Sequence, residues 1–408
     1  MIMSLLLITF ELLQGNMDGA DSLMTTSIHL LKGSLTQYRQ DDLTSQKDPR
    51  RIIKAEDDVA DIEHMLPFLS ITGAWTPFLK TQLTNLALWD TTPGSRPSTL
   101  LPSSSSQKLK LDINQIQREW SRFFSRASAF TGRAFTTIMQ THPPTVPDSL
   151  VTDQQTYLSH LEEWKTILAT ALSHSVDTKT NHSVRLMQLH RLTLRIGITC
   201  SLDSTDTAWD LYDADFQAVV DVVLSLALAA GTGSDSDTTA SSTTTTTTLS
   251  SNPIPNKKKV MKKPNKKYHA NFTLNMGILS ALGPAIAKCR NHNIRMRALE
   301  IARRMPWREG SWDAEAELYG KLGAVLLEER GRVGSGDGVV RAEDRWTWVQ
   351  GSWNLERGKM EGVYARSVRD DDGGVAIQRL EMGLDGWVDV CKEVGCRVDH
   401  AYGLDVLV

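Results

Sequence analysis

The sequence predicts an all-α protein, built from stacked antiparallel helical hairpins in a superhelix-like arrangement, with a small C-terminal β-hairpin. Apolar residues recur at helical spacing in one segment after another, and no convincing alternation of apolar and polar residues precedes residue 340. A tryptophan-rich segment beyond residue 340 alternates as a β-strand does. Hydrophobic residues make up 40% of the chain and charged residues 23%, which is typical of a folded globular protein and not of a disordered one.

The first two predicted helices form a hairpin at the N-terminus. Leu5 to Leu13 is apolar nearly all round, so this helix is expected to be deeply buried. Gly15 and Asn16 then favour a turn into a second helix. One face of that helix carries Ala20, Leu23, Met24, Ser27 and Leu31. A short loop between two such helices is typical of an antiparallel hairpin.

Two further amphipathic helices are predicted in the middle of the chain. The first carries apolar residues at helical spacing, at Tyr157, Leu161, Trp164, Leu168 and Leu172. Asp206 and Thr207 are candidate caps for the second helix. Its apolar stripe consists of Trp209, Tyr212, Phe216, Val219, Val223 and Leu226. Each stripe predicts one buried helix face.

Two low-complexity stretches divide the chain. Residues 91–106 are rich in Pro and Ser and are predicted to form a loop. Residues 231–270 combine a Thr/Ser-rich run with a Lys-rich run, and we expect this insert to be disordered because it has too little apolar surface to bury. The insert separates a first helical part, 1–230, from a second helical part, 271–330. The two parts can still pack on each other, since closing a long flexible loop costs little more than closing a short one.

Residues 331–408 differ in character from the helical parts. Trp346 and Trp348 fall on one face of a predicted strand, and a turn near Arg357 and Gly358 leads into the return strand. A final amphipathic helix is predicted through Leu380, Leu384, Trp387, Val388 and Cys391. We expect the hairpin and this helix to pack on the helical region.

The segment Lys288 to Asp313 is strongly basic, although the chain as a whole has a net charge of −3. An apolar stripe follows one side of its predicted helix, at Ile294, Ala298, Ile301, Ala302 and Met305. The other side carries Arg295, Arg297, Arg303 and Arg304, with Glu300 among them. This pattern predicts that the arginines occupy a solvated helix face. The alternative is that the same face contacts the phosphates of a nucleic acid.

A second helix is predicted to complete a hairpin with the basic helix. Pro306 ends the basic helix, because its ring clashes with the preceding turn and it lacks an N–H donor. Ser311 or Asp313 can cap the next helix. The buried face of that helix is predicted at Leu318, Leu322, Val325 and Leu326.

No arrangement of residues predicts catalysis. Cys391, Cys396 and His400 have irregular spacing for a metal site, as have Cys289 and His292, so buried or idle thiols are the favoured interpretation. The sequence contains no nucleophile elbow, no paired-histidine zinc helix and no Walker sequence. We therefore assign no catalytic, cofactor-binding or metal-binding residue, and we expect the protein not to be an enzyme.

The cysteine content and the apolar runs favour an intracellular protein with no membrane span. Four cysteines in a chain of 408 residues do not form a disulfide framework. The first apolar run meets Glu11 and has no basic region before it, unlike a signal peptide. The second apolar run, around Asp221, is too short to span a bilayer.

A lysine-rich run lies within the insert. It consists of Lys257, Lys258, Lys259, Lys262, Lys263, Lys266 and Lys267. Such a run can act as a nuclear import sequence or contact nucleic acid, and the plainer interpretation is a solvated linker.

Three motifs occur in combination: Asn275-Met276-Gly277, Lys288-Cys289-Arg290 with the basic helix after it, and Trp307-Arg308-Glu309-Gly310-Ser311-Trp312-Asp313. Together they resemble the regulatory region of fungal-specific transcription factors, which follows a binuclear six-cysteine zinc cluster in many fungal regulators. The N-terminal hairpin, the middle helices and the late tryptophan-rich hairpin are also similar to the family in spacing and character. The resemblance covers most of the chain outside residues 91–106 and 231–270.

The resemblance implies a helical effector region that controls transcription through protein partners or a small effector. It implies a location in the nucleus, or in nucleus and cytoplasm, with the lysine run as import signal. The family's DNA-binding element needs six cysteines to hold two zinc ions, whereas this chain has four cysteines and no Cys-x-x-Cys pair. We therefore expect no cofactor in this chain, DNA contact only through a missing or separate zinc cluster, and a chain that starts inside the region's first helices. The alternative is a helical protein-interaction scaffold that no longer acts in transcription, and neither reading fixes an oligomeric state.

Overall fold

The computed structural model describes most of the second half of the chain and part of the first. The described residues are 7, 8, 10, 11, 19, 22, 23, 25–27, 29, 30, 113–140, 145–174, 177–231, 271–273, 277–304, 307–309, 312–333, 338–354, 359–370 and 373–383. Most of them are helical, and a three-stranded antiparallel sheet lies toward the C-terminus. The described residues between 7 and 30 are all helical, whereas the predicted turn at Gly15 and Asn16 lies outside the described residues. The predicted loop 91–106 and the insert from 232 to 270 also lie outside them.

The first helical part is described from residue 113 onward. Its elements are α1 (Ile113–Gln140), α2 (Asp148–His174), α3 (Thr178–Cys200), a 3-10 helix (Ala208–Tyr212) and α4 (Asp213–Gly231). Asp177 caps α3, since its side chain accepts a hydrogen bond from the backbone N–H of Thr180 at 2.8 Å. The sequence prediction of helices over these apolar stripes is confirmed. The second stripe begins in the 3-10 helix and continues in α4.

Two hydrophobic cores hold the helices together. The first core lies between α1, α2 and α3 and includes Trp120, Tyr157 and Trp164. Trp120 and Trp164 meet edge to face with ring centroids 5.2 Å apart, a favourable geometry for aromatic pairs. The second core joins α3 and α4 to the helices that follow the insert. Residues of both helical parts therefore share this second core.

The second helical part contains three helices and three very short strands among the described residues. They are β1 (Asn271–Thr273), α5 (Leu279–Lys288), α6 (His292–Arg304), β2 (Trp307–Glu309), β3 (Trp312–Asp313) and α7 (Ala314–Gly331). β1 pairs with β2 in parallel, and β2 pairs with β3 antiparallel. The sequence shows no convincing alternation before residue 340, and these strands of two or three residues are too short to produce it.

The C-terminal sheet has the strand order β4 (Trp346–Asn354), β5 (Lys359–Arg366) and β6 (Ile377–Gly383). β4 and β5 are antiparallel, with Trp346 opposite Arg366 and Asn354 opposite Lys359, which confirms the predicted hairpin. The predicted final helix is wrong at Leu380, which lies in β6 opposite Gly362. Leu380 and Met382 also fit the two-residue period of a strand, and β5 offers them a partner edge. The remaining residues of that predicted helix lie outside the described residues.

The sheet packs on α7 through two glycines. Trp348 lies against Gly320, and Tyr364 lies against Gly323, so closely that a Cβ added at either glycine would overlap the aromatic ring. Trp346, Trp348 and Tyr364 are buried in this contact. The tryptophan-rich hairpin therefore packs on α7, which places the start of β4 beside the ends of α5 and α7.

Candidate functional site

A largely buried set of ion pairs lies where the helical parts meet the sheet, and we call it the ion-pair network. Its carboxylates are those of Asp206, Asp210, Glu328 and Glu329, and its cations are Lys288, Arg290, Arg295, Arg332 and Arg345. The members come from the loop after α3, the 3-10 helix, the α5–α6 junction, α6, α7 and the residue before β4. The network therefore ties together segments that are far apart in the sequence.

Asp206 occupies the centre of the network in an unusual backbone conformation. Its φ is 62°, in the left-handed region that few residues other than glycine adopt. Its carboxylate accepts hydrogen bonds from Lys288 Nζ at 2.9 and 3.1 Å, from Arg290 Nη2 at 2.7 Å and from Ser367 Oγ at 3.3 Å. Its backbone carbonyl accepts a further bond from Arg345. Such a conformation persists only where the surroundings hold it in place, as these four partners do.

The Lys288-Cys289-Arg290 motif forms the junction between α5 and α6. Cys289 has an extended backbone, so its side chain and those of its two neighbours point to opposite sides. Lys288 and Arg290 both bind Asp206, while Cys289 is fully buried in the second core. Burial raises the pKa of the Cys289 thiol to about 12, and Asp213, 3.7 Å from its sulfur, acts in the same direction. The thiol therefore stays protonated at neutral pH and is a poor nucleophile or metal ligand.

Glu328 connects the basic helix to the sheet. It is 0% exposed, as is Arg295, whose Nη2 lies 2.5 Å from Glu328 Oε2. Arg290 Nη2 donates to Glu328 Oε1 at 2.9 Å, and the backbone N–H of Trp346 donates to the same oxygen at 3.0 Å. One carboxylate thus forms ion pairs with two buried guanidinium groups and fixes the first residue of β4.

The neighbouring Glu329 extends the network along α7. Arg332 donates to both of its carboxylate oxygens at 2.6 Å, and Arg295 Nη1 donates to one of them at 3.1 Å. His292 Nδ1 lies 3.1 Å from the other oxygen. Arg332 also donates to the backbone carbonyl of Arg290 at 3.0 Å, which ties the end of α7 to the α5–α6 junction.

Arg345 closes the network at the sheet. Its Nη2 lies 2.5 Å from Asp210 Oδ2 in the 3-10 helix and 3.1 Å from the carbonyl of Val340. The backbone carbonyl of Arg345 accepts a hydrogen bond from the N–H of Ser367 at 2.9 Å. The 3-10 helix, β4 and the residue after β5 are therefore held by a single arginine.

The electrostatics keep the carboxylates of Asp206 and Glu328 ionised. Burial raises the pKa of Asp206, but the charges of Lys288 and Arg290 and their hydrogen bonds outweigh it and hold this pKa well below its usual value. The same competition, with Arg290 and Arg295 as the cations, lowers the pKa of Glu328. Burial opposes the charge of Arg290, yet Glu328 and Asp206 raise its pKa above the usual range. Carboxylates held in this state are suited to fixing backbone segments and unsuited to accepting protons near neutral pH.

The basic helix α6 differs from its predicted role at two positions. Arg295 and Glu300 are buried, so the prediction that they lie on a solvated face is wrong. The reason is that the acidic end of α7 packs against this side of α6 and supplies Arg295 with countercharges. Arg297 agrees with the prediction, since its side chain is 34% exposed and pairs with the exposed Asp221 at 3.0 Å. Ile294, Ala298, Ile301 and Ala302 are buried as predicted, whereas Met305 lies outside the described residues.

Six members of the network were missed in the sequence: Asp206 as a buried ion-pair partner, Asp210, Glu328, Glu329, Arg332 and Arg345. Glu328 and Glu329 follow the apolar stripe of α7 at helical spacing from Val325 and Leu326. Acidic residues that continue an apolar stripe signal a buried ion pair, because a carboxylate is rarely buried without a partner. No comparable local signal marks Asp206 or Arg345.

The other predicted site residues are not brought into the network. The lysine run from Lys257 to Lys267 lies outside the described residues, as do Cys391, Cys396 and His400. Within the described ranges, no group of three His, Cys, Asp or Glu side chains is placed to hold a metal ion. None of the helices in those ranges combines the length and the apolar character needed to cross a membrane.

The geometry of the network indicates a structural joint between the helical parts and the sheet. The function of this joint is inferred from the contacts of its own residues. No family model, no curated protein and no solved structure matches this chain.

Proposed function

We propose that the chain is the regulatory region of a fungal zinc-cluster-type transcription factor. In this proposal it controls transcription through protein or ligand contacts, and DNA is bound by a zinc cluster that this chain does not contain. The helical hairpins stack in a superhelix-like arrangement. The lysine run acts as a nuclear import signal, and the chain itself carries no cofactor and no catalytic residue.

The observation that carries the proposal is the position of the motifs that resemble the family. Lys288 and Arg290 of the Lys-Cys-Arg motif bind the strained Asp206, and Cys289 lies in the core. The second motif forms the β2–β3 pair, with Arg308 opposite Asp313, at the start of α7. Residues that resemble a family signature therefore form the joint of the fold, which is the role expected of residues that define a structural region.

The mechanism we infer is conformational. The ion-pair network connects α6 and α7 to the sheet through one carboxylate, that of Glu328. A partner that binds one arrangement of these elements better than another shifts the population toward that arrangement. Buried ion pairs are suited to such a joint, because their geometry is specific while their net contribution to stability is small.

A tethering experiment tests the proposal. The whole chain is fused to an unrelated DNA-binding domain, and transcription of a reporter carrying its site is measured in a fungal host. We expect reporter transcription to differ from that given by the DNA-binding domain alone. The fusion with Glu328→Gln should lose the difference, and the fusion with Glu343→Gln, an exposed carboxylate, should keep it. An unchanged reporter with the abundant, nuclear wild-type fusion would contradict the proposal and favour an interaction scaffold outside transcription.

A further inference from the structure

The strand β6 forms an outer edge of the C-terminal sheet. Within the described ranges it pairs with β5 alone, and that pairing runs without a break from Ile377 to Gly383. The other outer strand, β4, is different, because Glu328 binds the N–H of Trp346 and a bulge interrupts the register at Val349. A covered edge or a bulge protects a strand from pairing with another chain. Among the described residues β6 has neither feature, so its edge is regular.

Every second residue of β6 directs its backbone groups to that edge. The N–H of Arg366 donates to the carbonyl of Ala376 at 2.9 Å, so the backbone groups of Ala376 point toward β5. The direction alternates along an antiparallel strand. The residues whose N–H and C=O groups point away from β5 are therefore Ile377, Arg379, Glu381 and Gly383. Together they offer a row of donors and acceptors to a further strand.

The side chains of β6 divide between the two faces of the sheet. Met382 is buried against α7, and Leu380 lies half-buried on the same face. Since side chains alternate along a strand, Arg379 and Glu381 lie on the opposite face, where both are exposed. Glu381 forms an ion pair with Lys359 of β5, whereas Arg379 has no ion pair with any described residue.

The edge of β6 is complementary to itself in one register. When two copies pair antiparallel with Leu380 at the centre, Arg379 of each copy lies opposite Glu381 of the other. This register also joins residues that all direct their backbone groups to the edge, as an antiparallel ladder requires. A shift of the centre by one residue places Arg379 opposite Arg379, or Glu381 opposite Glu381, which is unfavourable.

We propose that β6 is a homodimerisation edge, through which two copies of this chain form one continuous antiparallel sheet with three strands from each copy. A two-fold axis passes beside Leu380, so the same surface is used by both copies. A second copy is favoured over an unrelated strand because the charges on the edge complement each other in the symmetric register. The pairing also supplies Arg379 with a carboxylate. The proposal goes beyond the regulatory function and does not depend on it.

Sedimentation of the whole chain from about 1 µM to about 500 µM tests the proposal, and we expect a reversible equilibrium between monomer and dimer. Arg379→Glu and Glu381→Arg each turn two attractive pairs of the dimer into two repulsive ones. Each should weaken dimerisation about tenfold or more. Both side chains are exposed, so both variants should keep the circular dichroism spectrum of the wild-type chain. Glu343→Arg makes the same charge change at an exposed position outside the sheet and should leave the dissociation constant unchanged.

An equimolar mixture of Arg379→Glu and Glu381→Arg separates lost pairing from lost folding. In the mixed dimer every opposed pair again joins an acidic and a basic side chain, so the two variants should associate about as tightly as the wild-type chain does. A fluorescent label on one variant reports this association. A wild-type chain that stays monomeric, as expected if another segment of the chain covers the edge, would overturn the proposal. So would dimerisation that neither variant weakens, or variants that fail to associate when mixed.

Discussion

Replacing Glu328 by glutamine tests the ion-pair network at its most connected point. Glutamine keeps the shape of the side chain, removes its charge and turns one acceptor oxygen into a donor group. Arg290 and Arg295 then lose a common countercharge in a fully buried position, and the N–H of Trp346 loses its acceptor or competes for the one that remains. Removing one partner of a buried ion pair costs about 3–5 kcal/mol, since the remaining charge stays buried.

Urea unfolding, followed by tryptophan fluorescence and far-UV circular dichroism, measures this effect. With an m-value near 3 kcal/mol per molar, a loss of about 3–5 kcal/mol lowers the midpoint by about 1–2 M. Glu343→Gln is the matched control. Its carboxylate is 53% exposed and pairs with the similarly exposed Arg341 at 3.1 Å, so its loss should cost below about 1 kcal/mol.

A double-mutant cycle measures the interaction between Arg295 and Glu328. Arg295→Met and Glu328→Gln should be clearly non-additive when combined, because residues in one buried network couple by about 0.5–3 kcal/mol. If Glu328→Gln costs no more than Glu343→Gln, the buried network contributes nothing to the native structure, and our assignment of these contacts is wrong.

Four further perturbations check other parts of the structure. Ile301→Asp forces a charge into the buried face of α6 and should lower the free energy of unfolding in urea by about 3–5 kcal/mol. Arg297→Ala removes the partly exposed pair with Asp221 and should lower it by about 1 kcal/mol or less. Equal losses would mean that the faces of α6 are misassigned. His190 is buried with Nε2 2.8 Å from the carbonyl of Gly277, and burial lowers its pKa from 6.5 to about 4. Because the unfolded chain binds the proton first, the free energy of unfolding is at its full value above pH 6.5 and falls by up to about 3 kcal/mol as the pH drops from 6.5 to 4. His190→Gln should flatten this pH profile, and an unchanged slope would contradict the assignment. Deleting residues 232–267 and bridging the gap should leave the thermal midpoint nearly unchanged, because the composition of the insert predicts that it buries no apolar surface. Loss of cooperative unfolding in this variant would show that the insert belongs to the fold. The purified chain should show no sequence-specific DNA binding in competition titrations of labelled duplexes at two salt concentrations, and a preference of about 100-fold for one sequence at the higher salt would contradict the view of Lys288 to Asp313 as a structural element.

Helical spacing was the strongest signal in the sequence. It identified α2, α4, α6 and α7, since an amphipathic helix records its buried face in the positions of its own apolar residues. The alternation of Trp346 and Trp348 likewise identified the first strand of the sheet. These features depend on residues close together in the chain, and the structure agrees with them.

The burial of Arg295 could not be predicted in the same way. On a helical wheel an arginine is assigned to solvent, because arginine is almost never fully buried unless it is paired. Its partner, Glu328, lies 33 residues further along the chain in another helix. The wheel of α6 contains no information about how α7 packs against it, so the pairing became visible only in three dimensions.

Asp206 illustrates the same difficulty. As a sequence feature it is an aspartate before an apolar stripe, which is typical of a helix cap. In the structure a different residue, Asp203, accepts the backbone N–H of Ala208 at the start of the 3-10 helix, at 2.6 Å. Asp206 turns away from the helix start with a positive φ and binds Lys288 and Arg290. Its role is fixed by residues that the local sequence does not contain.

The spread of the ion-pair network along the sequence also sets an order of events during synthesis on the ribosome. The core of α1, α2 and α3 draws its residues from positions 113 to 202, so it is complete early. Asp206 then emerges without a partner, because Lys288 follows 82 residues later. At a synthesis rate of about 5–20 residues per second, this carboxylate waits roughly 4–16 s for its first cation. Its contact with Ser367 forms later still, 161 residues downstream, so a nascent chain that stops before Ser367 carries a finished first core and an unfinished joint.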